Sequence, residues 1–354
     1  MKTRTNLIAA LAFALVAGCA GDAPNSGDDG DGGGGDGGGG DGGGDPTQPL
    51  DASGKYQLQS KFDLATNAPG TAGDVARAII DMTDNSDDPA NYILTQLINQ
   101  TSGTVKSLLN TAKPFIAGYL NQQLLDIAPD FVPVMVQVGN DFGDVAKGFG
   151  LNSTLEVSGS GGAYTATHTV LGAHFKINNV ETDYTFAQYG IQNTVVNGVG
   201  VTVDPTGKLS LADHKVPLSY GAVLRVALDA AIIPSIDPSA SNLQQLLADM
   251  VDCNAVGFYV EDAIEQVFGF GPGAGVFTGA CTLGLNAGAT FVYSKISSID
   301  SAALELGLAG TAKIIDKTGD RKLDTIQTGQ WTGNATYAGT PAPLAAATFF
   351  GARM

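Results

Sequence analysis

The chain is poor in charge, histidine and cysteine. Charged residues fill 15% of its 354 positions, against about a quarter in an average globular protein. Lys and Arg number 18 against 35 Asp and Glu, a formal net charge of −17. Phosphate contacts need clustered basic side chains, so this balance disfavours nucleic acid as a partner. It also disfavours electrostatic docking onto anionic lipid. The histidines are His168, His174 and His214. His168 and His174 share a strand face only if the chain stays extended through Gly172, and two imidazoles without a third ligand make a poor metal site. Neither His-Glu-x-x-His nor Gly-x-Ser-x-Gly occurs, so no common hydrolase signature is present. The glycine-rich run at residues 269–275 follows no strand, which removes a dinucleotide-binding reading. No cofactor is expected.

What is present begins at the N-terminus. Lys2 and Arg4 precede an apolar run at residues 7–16. That run is too short to span a hydrocarbon layer of about 30 Å as a helix, so it reads as a processed export signal. Val16-Ala17-Gly18-Cys19 follows and resembles the lipobox of bacterial lipoprotein precursors. The resemblance covers residues 1–19 only. It implies that residues 1–18 are removed, that Cys19 is lipidated and that the membrane is a partner through the acyl chains. Ala20 follows Cys19; in lipoproteins generally an Asp there suggests inner-membrane retention. The expected location is therefore the outer membrane, on its periplasmic face or at the cell surface.

Residues 20–49 hold seven Asp and no Lys or Arg among glycine blocks. Such a composition buries nothing and stays solvated as a tether, with an r.m.s. reach of roughly 30 Å. Calcium-binding β-helix repeats would need apolar residues in each repeat, and these are missing. The expected organisation is thus a signal (1–18), a lipidated cysteine with its acidic tether (19–49) and one globular domain (50–354). With Cys19 assigned to lipid, Cys253 and Cys281 remain as an even pair in an oxidising compartment and read as a disulfide. A redox pair would need Cys-x-x-Cys spacing.

Within the globular part, Tyr56, Leu58, Phe62 and Leu64 alternate as a half-buried strand. Residues 73–127 follow helical spacing in three runs, and residues 131–138 fit helix or strand. From 163 to 228 the period is two: Tyr164, Ala166, His168 and Val170 share a face, and Val199, Val201 and Val203 alternate into a turn at residues 204–207. Residues 216–228 read as a long apolar strand. Helical spacing returns at 239–268, then in a helix carrying Cys281. Leu304, Leu306, Leu308, Ala312 and Ile314 begin a closing hairpin. The order predicts an α+β fold, an antiparallel sheet of long strands covered by amphipathic helices, with one helical pair stapled by Cys253 and Cys281.

Asp316, Thr318, Asp320 and Asp324 stand at positions 1, 3, 5 and 9 of a calcium loop. The glycine position holds Arg321 and the bidentate glutamate position holds Gln327. Asp316, Asp320 and Asp324 are therefore the metal candidates of the chain, yet the loop reads as a polar turn. The expected function is a lipid-anchored binding or structural module. Alternatives are a carrier holding a lipid or other apolar ligand between helices and sheet, and a hydrolase with an unrecognised site.

Overall fold

The computed structural model describes residues 48–66, 68–70 and 128–354, with helical positions at 103, 106, 107, 110 and 113. The readings made for the signal, Cys19, the tether to residue 47 and most of the run 73–127 lie outside the described residues. Ten strands form one antiparallel sheet. They are β1 (Gly54–Asp63), β2 (Phe149–Ser160), β3 (Ala163–Ile177), β4 (Val180–Thr185), β5 (Thr194–Val203), β6 (Lys208–Leu218), β7 (Leu304–Ile315), β8 (Thr325–Tyr337), β9 (Thr340–Pro343) and β10 (Ala345–Arg353).

The expectation of a sheet covered by helices is overturned, because this sheet closes on itself. β10 pairs with β1 through Tyr56↔Arg353 and with β8 through Phe349↔Gly329. The result is a closed eight-stranded barrel, with β4 and β9 as extra strands attached to β3 and β8. The cause lies in the alternation. Each long strand has one apolar phase: Tyr56, Leu58 and Phe62; Leu151, Leu155 and Val157; Leu304, Leu306 and Leu308 are all buried. Long strands that bury only one face curl until those faces meet, and closure removes the exposed edges.

The described helices do not cover a sheet face. They gather at one rim. α1 (Phe131–Lys147) precedes β2, whose Phe149 pairs with Phe62 at the end of β1. Apart from a 3-10 turn at Phe186–Tyr189, the helices that follow β2 are inserted between Leu218 and Leu304, which are themselves paired. They are α2 (Tyr220–Val226), a π-helical turn (Ala227–Ile232), α3 (Ile233–Ile236), α4 (Leu243–Met250), α5 (Cys253–Phe268) and α6 (Ala274–Ile299). The run 216–228 is therefore strand only to Leu218, and residues 131–138 are helix. Its continuous apolar character fits either element; Tyr220, Val223, Leu224, Ala227 and Leu228 are buried as helix.

Local chemistry sets the breaks. Asn242 caps α4 by accepting from Gln245 N, and Asp252 caps α5 by accepting from Asn254 N and Ala255 N. Gly269, at φ 75°, ends α5 in the left-handed conformation. Cys253 and Cys281 are bonded, with Cα atoms 5.5 Å apart, and join α5 to α6. Gly257 lies where these helices touch; a Cβ there would strike Thr278 and the Ala274 carbonyl. Asp300, after α6, accepts from Gly221 N and Ala222 N and so caps α2.

The opposite pole is built of turns. It holds the β2–β3 hairpin, the expected turn at residues 204–207 and the β7–β8 loop. Gly207 has φ 79°, and its N–H donates to Asp204 O at 3.1 Å. The chain enters at this pole. Asp51 bridges Lys322, Ala52 N donates to the Tyr164 hydroxyl, and Arg353 donates to the Tyr56 hydroxyl. The pole of turns and the rim of helices are thus opposite ends of one barrel.

Candidate functional site

Four polar side chains stand in the apolar phase of their strands. Ser60 on β1, Ser153 on β2, His168 on β3 and His214 on β6 point inward and are buried. Trp331 on β8 joins them, giving its indole N–H to Ser60 Oγ at 3.1 Å. Bulges attend this level of the barrel. Register shifts fall at Leu171 on β3, at residues 197–198 on β5, at 212–213 on β6 and at 328–329 on β8. A bulge changes which face the following residues take. The bulge in β6 turns His214 inward, beside His168.

The bulge at Leu171 has the reverse effect on the other pair. Inward phase runs through Ala166, His168 and Val170, then resumes at Ala173 and Phe175. His174 therefore leaves the His168 face. It meets Asn152 Oδ1 at 3.1 Å and Glu181 at 3.6 Å near the extra strand β4. The two histidines considered together in sequence are separated, and His214 takes the place of His174.

The hydrogen bonds of the interior cluster run one way. His214 Nδ1 lies 2.9 Å from the Ala212 carbonyl, which only accepts, so Nδ1 carries the hydrogen. His214 Nε2 is then bare and accepts from His168 Nδ1 at 2.9 Å. His168 Nε2 is in turn bare and accepts the Ser153 hydroxyl at 2.9 Å. The order is Ser153 to His168 to His214 to Ala212. The Trp331 ring lies 6.1 Å from His168 with planes 19° apart, and it stacks on Phe349 at 4.2 Å.

This is the connectivity of a serine activated by a histidine that a third group orients. The electrostatics differ. The third group is a neutral imidazole rather than a carboxylate, so it offers no charge to stabilise an imidazolium. Burial, and then His214, push the His168 pKa down to about 3. His214 is likewise lowered, chiefly by burial. A general base works best with a pKa near the operating pH, and His168 lies far below it. Ser153 and His168 are 2% and 3% exposed. The cluster holds a proton arrangement and the strand register; it is poorly matched to abstracting protons at neutral pH.

The other candidates lie elsewhere. Asp316, Asp320 and Asp324 share the β7–β8 loop, but their oxygens are turned to the loop itself. Asp316 accepts from Thr318 N, Gly319 N and Arg321 N, Asp324 from Lys317 N and Thr318 N, and Asp320 from Lys322 N. Among the described residues no group of three or more His, Cys, Asp or Glu is placed to hold a metal ion. At the helical rim, Tyr293 donates to Asp229 and accepts from Leu243 N at 2.8 Å, while Arg225 covers its ring at 4.9 Å. Burial raises the Asp229 carboxyl, against hydrogen bonds from Tyr293 and Arg225. That cluster is satisfied internally and ties the π turn to α4 and α6. Beside the disulfide a groove of about 430 Å³ is lined by Asp249, Asp252, Asn254, Thr282 and Asn286.

Ser60, Ser153, Trp331 and the role of His214 escaped the sequence reading. The signal was a polar residue in an apolar phase, as in Leu151-x-Ser153-x-Leu155. Comparison with known proteins finds no matching family model, curated protein or solved structure.

Proposed function

We propose that the protein is a binding module of the outer membrane surface, held by a lipid on Cys19, with its binding face on the helical rim. The observation that carries this reading is the opposition of two poles. The chain enters at the pole of turns, beside Asp51 and Lys322. At the other end the helices leave large apolar side chains in solvent: Phe258, Phe270, Val276, Leu283 and Phe291 are all exposed. Exposed apolar patches on a folded domain mark places where something docks. A tether on one pole and a sticky surface on the other suit a domain that presents itself outward from a membrane. The carrier reading has less support, because the barrel at the level of Trp331 is occupied by stacked rings.

Photo-reactive residues test this. Placed in intact cells at Phe258 or Phe291, they are expected to give adducts, whereas Thr206 at the pole of turns gives none. Equal labelling at both poles would defeat the assignment of the face. Cys19→Ala is expected to leave unprocessed or soluble protein; a membrane-bound chain of mature size would defeat the anchor.

The hydrolase reading draws on one specific observation, the Ser153–His168 hydrogen bond. A fluorophosphonate probe checks it. Labelling lost in Ser153→Ala would favour the enzyme, and absence of labelling favours the binding module.

A further inference from the structure

Helix α6 is the one helix among the described residues long and apolar enough to cross a membrane by length and composition, yet only 39% of its most apolar window is buried. A helix apolar all round belongs inside something. Its inner face packs through Phe277, Cys281, Ala289, Val292 and Ile296. Its outer face carries Val276, Leu283 and Phe291, which are 42%, 54% and 50% exposed. Residues 274–294 contain no Asp, Glu, Lys or Arg.

We infer that this outer face of α6 is the seam of a homodimer, in which two copies of α6 cross antiparallel about a two-fold axis near Leu283. The inference rests on the helical rim being the binding face and names its partner. Three observations carry it. The first is charge. In a chain of net −17, most surface repels a second copy; the uncharged stretch of α6 is where that penalty vanishes.

The second is self-complementarity, which a two-fold interface requires. An axis at Leu283 sets Val276 of one copy opposite Thr290 of the other, with Phe291 one residue further along. It sets Leu283 against Leu283, and Gly279 against Ala287. Large meets medium and small meets small, so the backbones approach without a gap at the ends.

The third is the charge at each end of the seam. Lys295 lies one turn beyond Phe291, with Nζ 5.2 Å from that ring. The same axis carries it to the start of the other α6, near Pro272. There Glu261 accepts from Gly273 N with both oxygens at 3.0 Å. Each Lys295 thereby meets a Glu261 carboxylate, and symmetry makes two such pairs flanking the apolar seam. One pair of helices about 30 Å long gives an interface at the small end of the specific range, below about 1,200 Å² in total. A dimer that dissociates at micromolar concentration is therefore expected.

The test uses the full mature chain in density-matched detergent, followed by sedimentation equilibrium. The expected result is a monomer–dimer equilibrium that Leu283→Lys shifts entirely to monomer. Lys295→Glu is expected to weaken the dimer by about fivefold, and adding Glu261→Lys to restore it. Circular dichroism and the melting temperature show whether each variant is folded. A wild-type chain that stays monomeric at about 100 µM, where a dimer of micromolar dissociation constant is mostly assembled, overturns the inference. So does a folded Lys295→Glu, Glu261→Lys pair that fails to recover. A photo-reactive residue at Leu283 separates this failure from that of the binding face. Adducts to a second copy support the dimer. Adducts to another protein or to phospholipid overturn the dimer and leave the rim as a binding face; no adduct overturns both.

Discussion

His168 gives its Nδ1 hydrogen to Nε2 of His214 across 2.9 Å, and the Ala212 carbonyl behind His214 fixes the direction of that bond. Each partner is thereby locked in one tautomer. A neutral pair buried among apolar strands has no slack, since removing any member strands its neighbour.

His214→Ala is expected to destabilise the barrel by about 3 kcal/mol, combining an unpaired buried N–H with a cavity. Ser153→Ala leaves His168 Nε2 without its donor and is expected to cost about 1–2 kcal/mol. Equilibrium denaturation by urea measures both. If His214→Ala were as stable as the parent, the relay would not hold the interior together.

Stability is expected to fall with acid for the same reason. The folded pKa of His168 is about 3, well below about 6.5 for a free histidine. Between these values the unfolded chain binds a proton that the folded chain refuses, so stability rises with pH across this window. It is complete above about pH 6.5 and erodes as the pH drops towards 3. His168→Gln is expected to flatten that slope by about one proton, read from denaturation midpoints at several pH values. An unchanged slope would place the acid sensitivity elsewhere.

The sequence exposed most strands and hid the way they join. Alternation at Tyr56, Leu58 and Phe62, and at Leu304, Leu306 and Leu308, is a local property, and it named β1 and β7. The turn at residues 204–207 was legible from Asp-Pro-Thr-Gly, and the disulfide from the count of cysteines. Closure was not legible, because the Phe349↔Gly329 and Tyr56↔Arg353 pairings depend on curvature summed over every strand. Residues 216–228 are apolar in every phase, so nothing local marks the change to helix at Tyr220. The relay was hidden by its bulges. One extra residue at Leu171 sends His174 away, and one in β6 brings His214 in, and neither leaves a local signature.

Breaking the Cys253–Cys281 bond removes a cross-link between residues 28 positions apart. The chain-entropy estimate for such a loop is about 3–4 kcal/mol. Reduction, or Cys253→Ala with Cys281→Ala, is expected to lower the melting temperature by several degrees. Because the bond ties α5 to α6, hydrogen exchange is expected to rise there first and to leave β1 and β2 protected. Uniform exchange across the barrel would contradict a local role.

The β7–β8 loop is expected to ignore calcium. For Asp316, burial acts to raise the carboxyl pKa, but hydrogen bonds from the Arg321, Gly319 and Thr318 backbone outweigh it and hold the group low. Those donors occupy the oxygens a cation would need. Millimolar calcium should leave the melting temperature unchanged, while Asp316→Ala lowers it without calcium restoring anything. A calcium-dependent rise that vanishes in Asp316→Ala would show that the loop opens to bind a cation.

The two poles have a mechanical consequence. A load between the chain entry at Asp51 and the helical rim runs along the strands. Antiparallel hydrogen bonds lie across that direction, so the ladders from Gly54↔Val157 and Tyr56↔Arg353 onward are loaded together in shear rather than peeled singly. The barrel then behaves as a strut. A load applied at Asp51 is spread through its walls before it reaches α5 and α6, and the surface they form keeps its shape under it.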